Sequence, residues 1–115
     1  MSNSNKKVDI NATDRYGETA LIRESRRGEL SQVRSLLDQG ALINTADNDG
    51  ATALIYASRY GYLPVVKLLI DQGAILDQAD NNGYTPLMWA SCEGHKEVVI
   101  KLIESGADVN WYVYK

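Results

Sequence analysis

The sequence holds one cysteine, Cys92, and one histidine, His95, and it lacks phenylalanine altogether. A lone cysteine cannot close an internal disulfide, so the fold has to stand on packing and suits a reducing compartment. Cys92 and His95 are three residues apart, but two ligands fall short of a zinc site and no further Cys or His completes one. Without a second histidine or a convincing nucleophile and base, no catalytic triad can be assembled, and no enzymatic role is expected. Cationic excess is missing too: 12 basic against 15 acidic residues leave a formal charge of −3, with no field to hold a phosphate backbone. Nucleic acid is therefore not expected as a partner. Long apolar runs are absent, and Met1 to Val8 is Ser, Asn and Lys without the apolar core of an export signal. The expectation is a chain neither exported nor held in a membrane, residing in the cytoplasm. Neither cofactor nor metal is expected, because the glycines never cluster into a phosphate cradle. Thr45, Asp47, Asp49 and Gly50 only faintly imitate a calcium loop, whose last ligand position is here Tyr56.

What the chain does contain is repetition. Asp14, Asp47 and Asp80 are each followed three residues later by Gly17, Gly50 and Gly83, and two further on by Thr19, Thr52 and Thr85. Both intervals are 33 residues, from 14 to 47 and from 47 to 80. Gly28, Gly61 and Gly94 recur in the same register, as do Gly40, Gly73 and Gly106, and these sets account for all 9 glycines. Glycine confined to three phases of one period is serving backbone geometry, so each unit turns at three fixed places.

Between the turns the apolar pattern is helical. In the second unit a short helix opens at Leu54 to Ala57, with Thr52 placed to cap its amides and Gly61 to end it. Val65, Val66, Leu69 and Ile70 then make an apolar stripe at helical spacing, with Pro64 tolerated in the first turn and Gly73 as the stop. Asp47-Asn48-Asp49-Gly50 and Asp80-Asn81-Asn82-Gly83 supply hairpin-type turns between units. One helix pair of this size cannot bury its own stripe, so neighbours must stack and share a core.

The stretch Asp80-Asn81-Asn82-Gly83-Tyr84-Thr85-Pro86-Leu87-Met88, followed by Ala90, Gly94-His95, Val98-Val99, Leu102-Ile103 and Gly106-Ala107-Asp108-Val109-Asn110, resembles the ankyrin repeat nearly end to end. The likeness covers Asp14 to Asn110, with Asp9-Ile10-Asn11-Ala12 resembling the tail of a degenerate preceding unit. It departs at Ala20 and Ala53, where the family carries proline after the threonine, and at Ile22, Ile55 and Met88, where it carries histidine. The resemblance implies an all-α solenoid of stacked helix-turn-helix units joined by hairpin-like loops. Its divisions are an N-terminal segment 1–13, repeats at 14–46, 47–79 and 80–110, and an aromatic tail 111–115. His95 then falls at the family's Gly-His turn, where it serves as a structural partner of the backbone.

The two ends of the stack differ. Where the second and third units have Ala57 and Ala90 the first has Glu24, and where they have Val65 and Val98 it has Gln32, so the first repeat reads as a polar cap. The third keeps the internal pattern, with Ile100 where Arg34 and Lys67 face water, and is followed by Trp111-Tyr112-Val113-Tyr114-Lys115. Those aromatics either fold back as a lid or belong to a self-association surface, in which case a homodimer would form near Ile100 and Trp111.

The resemblance also implies a function: a module that binds a protein or peptide segment through its concave face, as adaptor or scaffold. The family's usual contact positions fall in the first repeat on Arg15, Tyr16, Glu18, Arg23, Arg26 and Arg27. In the second they fall on Asn48, Asp49, Tyr56, Arg59 and Tyr60, and in the third on Asn81, Asn82, Tyr84, Trp89 and Glu93. One phase reads Arg23, Tyr56, Trp89, a large side chain in each repeat, and these are residue types that dominate binding hot spots. Residues 14–46 carry five arginines and five acidic side chains, whereas 47–110 carry four basic and nine acidic, so a partner would be steered into register by charge.

Overall fold

The computed structural model describes residues 8–110. Six helices follow in order: α1 (Ala20–Arg27), α2 (Leu30–Asp38), α3 (Ala53–Arg59), α4 (Leu63–Asp71), α5 (Pro86–Cys92) and α6 (Lys96–Glu104). Each 33-residue unit thus contributes one pair. The first helices α1, α3 and α5 pack side by side in one layer, and α2, α4 and α6 run along a second.

The repeating threonines begin the first layer. Thr19, Thr52 and Thr85 accept a hydrogen bond at 3.2 Å from the amides of Ile22, Ile55 and Met88, satisfying one orphan donor at each helix start. Each such cap contributes about 1 kcal/mol. The first helix of the second repeat starts after Thr52 and stops before Gly61, as the sequence pattern suggests, and Ala53, Tyr56 and Ser58 are buried in it along with Leu54, Ile55 and Ala57. In the second layer Val65, Val66 and Leu69 are fully buried, and Leu68 joins them. One apolar core runs the length of the stack, through Leu21, Val33, Leu54, Leu69, Leu87 and Leu102. A smaller cluster of Ile22, Ala51, Ile55 and Tyr56, with Trp89 against it, lies apart from that core.

Stacking is specified by hydrogen bonds that recur at the period of the sequence. The side chains of Asn11, Asn44 and Asp77 each accept at 2.9 Å from the amide of a residue in the next repeat, namely Leu42, Ile75 and Asp108. Asn11 thus makes, one period earlier, the contact that Asn44 and Asp77 make. Along the hairpins, the Asn48 side chain donates to the Arg15 carbonyl and that of Asn81 to the Asn48 carbonyl, both at 3.0 Å.

The second glycine set explains itself at the junctions. Gly28 and Gly61 have positive φ, and each also lies under a ring of the following repeat: a Cβ there would come within 2.7 Å of Tyr62 and 2.5 Å of His95. His95 fills the structural role that the Gly-His turn implies. Its Nε2 donates to the Arg59 carbonyl at 2.9 Å. Gly94, at the equivalent place in the third repeat, has nothing within 4 Å of such a Cβ among the described residues. Ile100 and Ile103 are about half exposed at that end, at 54% and 46%. The aromatic tail, including Trp111, lies outside the described residues. No helix among the described residues is long and apolar enough to cross a membrane.

Candidate functional site

The face built from the hairpin tips and the first helices carries most of the sequence's candidate contact residues, and three aspartates organise it. Asp14, Asp47 and Asp80 each turn one carboxylate oxygen back to accept two amides of their own hairpin: Tyr16 and Glu18, Asp49 and Ala51, Asn82 and Tyr84. The second oxygen takes a side-chain donor nine residues on. Arg23 lies 3.5 Å from Asp14, the Tyr56 hydroxyl donates to Asp47 at 2.6 Å, and the Trp89 indole donates to Asp80 at 2.9 Å. The line Arg23, Tyr56, Trp89 is thus a set of braces between hairpin and helix.

Two of the candidates are committed within the chain. Tyr56 is only 9% exposed and its hydroxyl is committed to Asp47, so it supports the face instead of offering contact area. Burial, then the neighbouring Asp47 carboxylate, pushes its phenol well above the ordinary tyrosine value. Glu18, 8% exposed, is the counter-ion of Arg26, which grips both of its carboxylate oxygens. That hydrogen bond to Glu18 raises the Arg26 guanidinium further above its ordinary range. Asp14, by contrast, is held below the usual carboxylate value, first by the Glu18 amide.

Three residues beyond the braces, a second periodic contact crosses each junction. The Arg26 guanidinium lies 5.5 Å from the Tyr56 ring centre, and Arg59, one period later, lies 4.2 Å from that of Trp89. The Trp89 ring also meets Tyr84 at 4.9 Å. At the first junction Glu18 closes over Arg26. At the second the residue equivalent to Glu18 is Ala51, and among the described residues no carboxylate lies within 4.0 Å of Arg59. A cavity of about 390 Å³ opens there, lined by Asp49, Ala51, Tyr56, Arg59, Asn81, Asn82 and Trp89, with Ile55 and Asp80.

Six of the sequence candidates therefore meet at one place: Asp49, Tyr56, Arg59, Asn81, Asn82 and Trp89. Tyr84 stands beside them, 38% exposed. Arg15 and Tyr16 form a separate pair at the first hairpin, the guanidinium 5.1 Å from a ring that is 58% exposed. Arg27, Tyr60 and Glu93 occupy one phase at the C-terminal ends of the first helices. Arg27 pairs there with Glu24 at 3.2 Å, Tyr60 is 42% exposed beneath Arg59, and Glu93 is exposed. Asn48 bridges the first two hairpins. Sequence reasoning missed the braced aspartates, although the constant spacing of nine to a hydrogen-bond donor was a usable signal, and it missed Ala51, whose meaning is an absent side chain.

Comparison with known proteins agrees with this architecture. A family model described as ankyrin repeats in three copies matches residues 2–80 and again 25–111. A 43-residue stretch is 46% identical to part of Inversin from Danio rerio, covering 37% of this chain and 4% of that protein. The chain thus spans a small fraction of the length of the relative it matches.

Proposed function

The chain belongs to the ankyrin-repeat family, whose members are generally protein–protein interaction modules, and on that premise we propose that it is a non-enzymatic adaptor holding a partner protein against its concave, hairpin-side face. The observation that carries this reading is the open cavity between the second and third repeats, where Arg59 and Trp89 present a charged fork and an aromatic face. Aromatic and arginine side chains concentrate binding energy because they add area and directional polar groups at small entropic cost. Exposed Tyr16, Tyr60 and Tyr84 extend the same surface to either side. The extended line suits a peptide segment or a loop of a folded partner.

The test compares capture from a lysate of the source cell by the native chain and by the Arg59→Ala, Tyr60→Ala double variant, with circular dichroism to show that both stay helical. A protein retained by the first and lost by the second supports the reading; equal retention sinks it.

A second reading has its own observation. Ile100 and Ile103 are half exposed on the third repeat, and among the described residues Gly83 and Gly94 have no neighbour there. Such a surface supports self-association. Ile100→Lys would restore the basic residue found at Arg34 and Lys67, and a solution mass unchanged by it counts against this second reading.

A further inference from the structure

The two junctions are built on one template, and only the first carries its own occupant. Glu18 and Ala51 hold equivalent places: the amide of each donates at 2.9 Å to the hairpin aspartate of its own repeat, and both residues are buried. At the first junction the Glu18 carboxylate is gripped by two nitrogens of Arg26, the guanidinium that lies against Tyr56. At the second, Arg59 likewise lies over a ring of the following repeat. His95 binds its backbone carbonyl, and Trp89 lies closer to its guanidinium than Tyr56 does to that of Arg26. What is missing is the acid, and the cavity stands where it would be.

We propose that this cavity is a recognition site for the carboxylate of an aspartate or glutamate side chain in a partner peptide, taken by Arg59 in the two-pronged manner that Arg26 takes Glu18. The proposal rests on the adaptor reading and names what that face selects. The Arg59 guanidinium supplies the attraction, and its packing against Trp89 and Tyr60 limits the freedom it loses when the acid docks. The remaining lining decides which acid fits. Asp80 is fully engaged, accepting from the amides of Asn82 and Tyr84 and from the Trp89 indole. Exposed Asp49 stands at the rim. Two resident carboxylates leave room for a singly charged ligand and repel the dianion of a phosphate group.

A library of random 12-residue peptides displayed on phage, selected on the native chain, is the first probe. Selected peptides are then synthesised with a fluorescent label and titrated against native protein, Arg59→Gln and Ala51→Glu. The last variant installs opposite Arg59 the acid that the first repeat carries at Glu18. Selected peptides should share an acidic residue at a fixed position. Its replacement by the matching amide, and either protein variant, should weaken binding about tenfold or more, the scale of a charge-assisted pair. Thermal unfolding of Ala51→Glu should show no loss of stability. Peptides with no fixed acid, or acidic peptides held equally well by Ala51→Glu, overturn the assignment. Tighter binding when phosphoserine replaces the acid also overturns it, in favour of phosphate. Non-acidic peptides that are lost on Arg59→Ala with Tyr60→Ala remove the carboxylate and leave the adaptor reading in place. Failure to select any peptide that needs this face removes both.

Discussion

The first and second junctions share a backbone and differ in a handful of side chains. At the first, Arg26 is closed by Glu18 and lies on a phenol, and a tyrosine ring covers Gly28. At the second, Arg59 is open, lies on an indole, and a histidine ring covers Gly61 while bonding the Arg59 carbonyl. A repeat architecture can therefore hold its stacking constant, close one junction's guanidinium with its own acid and leave the next open to a cavity. The difference comes from removing a side chain, Ala51 for Glu18, as much as from adding one.

The largest test of the shared part is at the glycines. Gly61→Ala forces a Cβ at φ +77° and to within 2.5 Å of the His95 ring, whereas Gly94→Ala forces φ +76° into open space. The first should cost about 3 kcal/mol and the second about 1 kcal/mol in urea unfolding, the left-handed penalty being common to both. Equal losses would mean that ring-on-glycine packing contributes nothing to stacking.

The braces come next. Tyr56→Phe removes the donor to Asp47 at a buried site and should cost about 2 kcal/mol by chemical denaturation. Because the folded-state phenol is pushed above its ordinary value of 10.0, its contribution is fully present below that pH. It is lost as pH rises through the folded value. In Tyr56→Phe that alkaline loss should shrink, and an unchanged profile would remove the brace from the account.

Smaller effects should separate junction repeats from the last one. Among the described residues the buried hydroxyls of Ser25 and Ser58 have no hydrogen-bond partner, while Ser91, their counterpart in the third repeat, is exposed. Ser58→Ala should stabilise by about 1 kcal/mol, from relief of an unsatisfied group and better helix propensity; Ser91→Ala should gain only about 0.5 kcal/mol, from propensity alone. A loss of stability at Ser58 would show that its hydroxyl is bonded in solution.

The smallest change is expected at the first hairpin. Asp14 titrates below 3.8, so the stability it lends is present above that value and disappears as pH falls through the lower folded one. Amide chemical shifts of Tyr16 and Glu18, followed by NMR, should titrate together in that acid range, and independent midpoints would separate the two bonds.

Much of the fold is legible in the chain because periodic patterns report on geometry that every repeat must satisfy. Gly28, Gly61 and Gly94 mark the turns, Thr19, Thr52 and Thr85 mark the helix starts, and Val65, Val66 and Leu69 mark the inward face. The candidate site was legible in outline. Asp49, Arg59, Asn81, Asn82 and Trp89 are found together around the cavity. The burial of Tyr56 was not legible: its size and phase match those of Trp89, and only the hydrogen bond to Asp47 and the packing of Ile22, Ala51 and Ile55 around it show how little of it is exposed.

Sequence by itself determined the period, the turns, the helix starts and the family, since each follows from local backbone chemistry repeated at a fixed interval. Tertiary structure decided which members of a periodic set share the same surroundings. Arg26 and Arg59 hold the same place in the period, yet one is closed by Glu18 and the other is left open at Ala51. Whether a charge is satisfied depends on groups brought near by packing, and spacing along the chain does not carry that information.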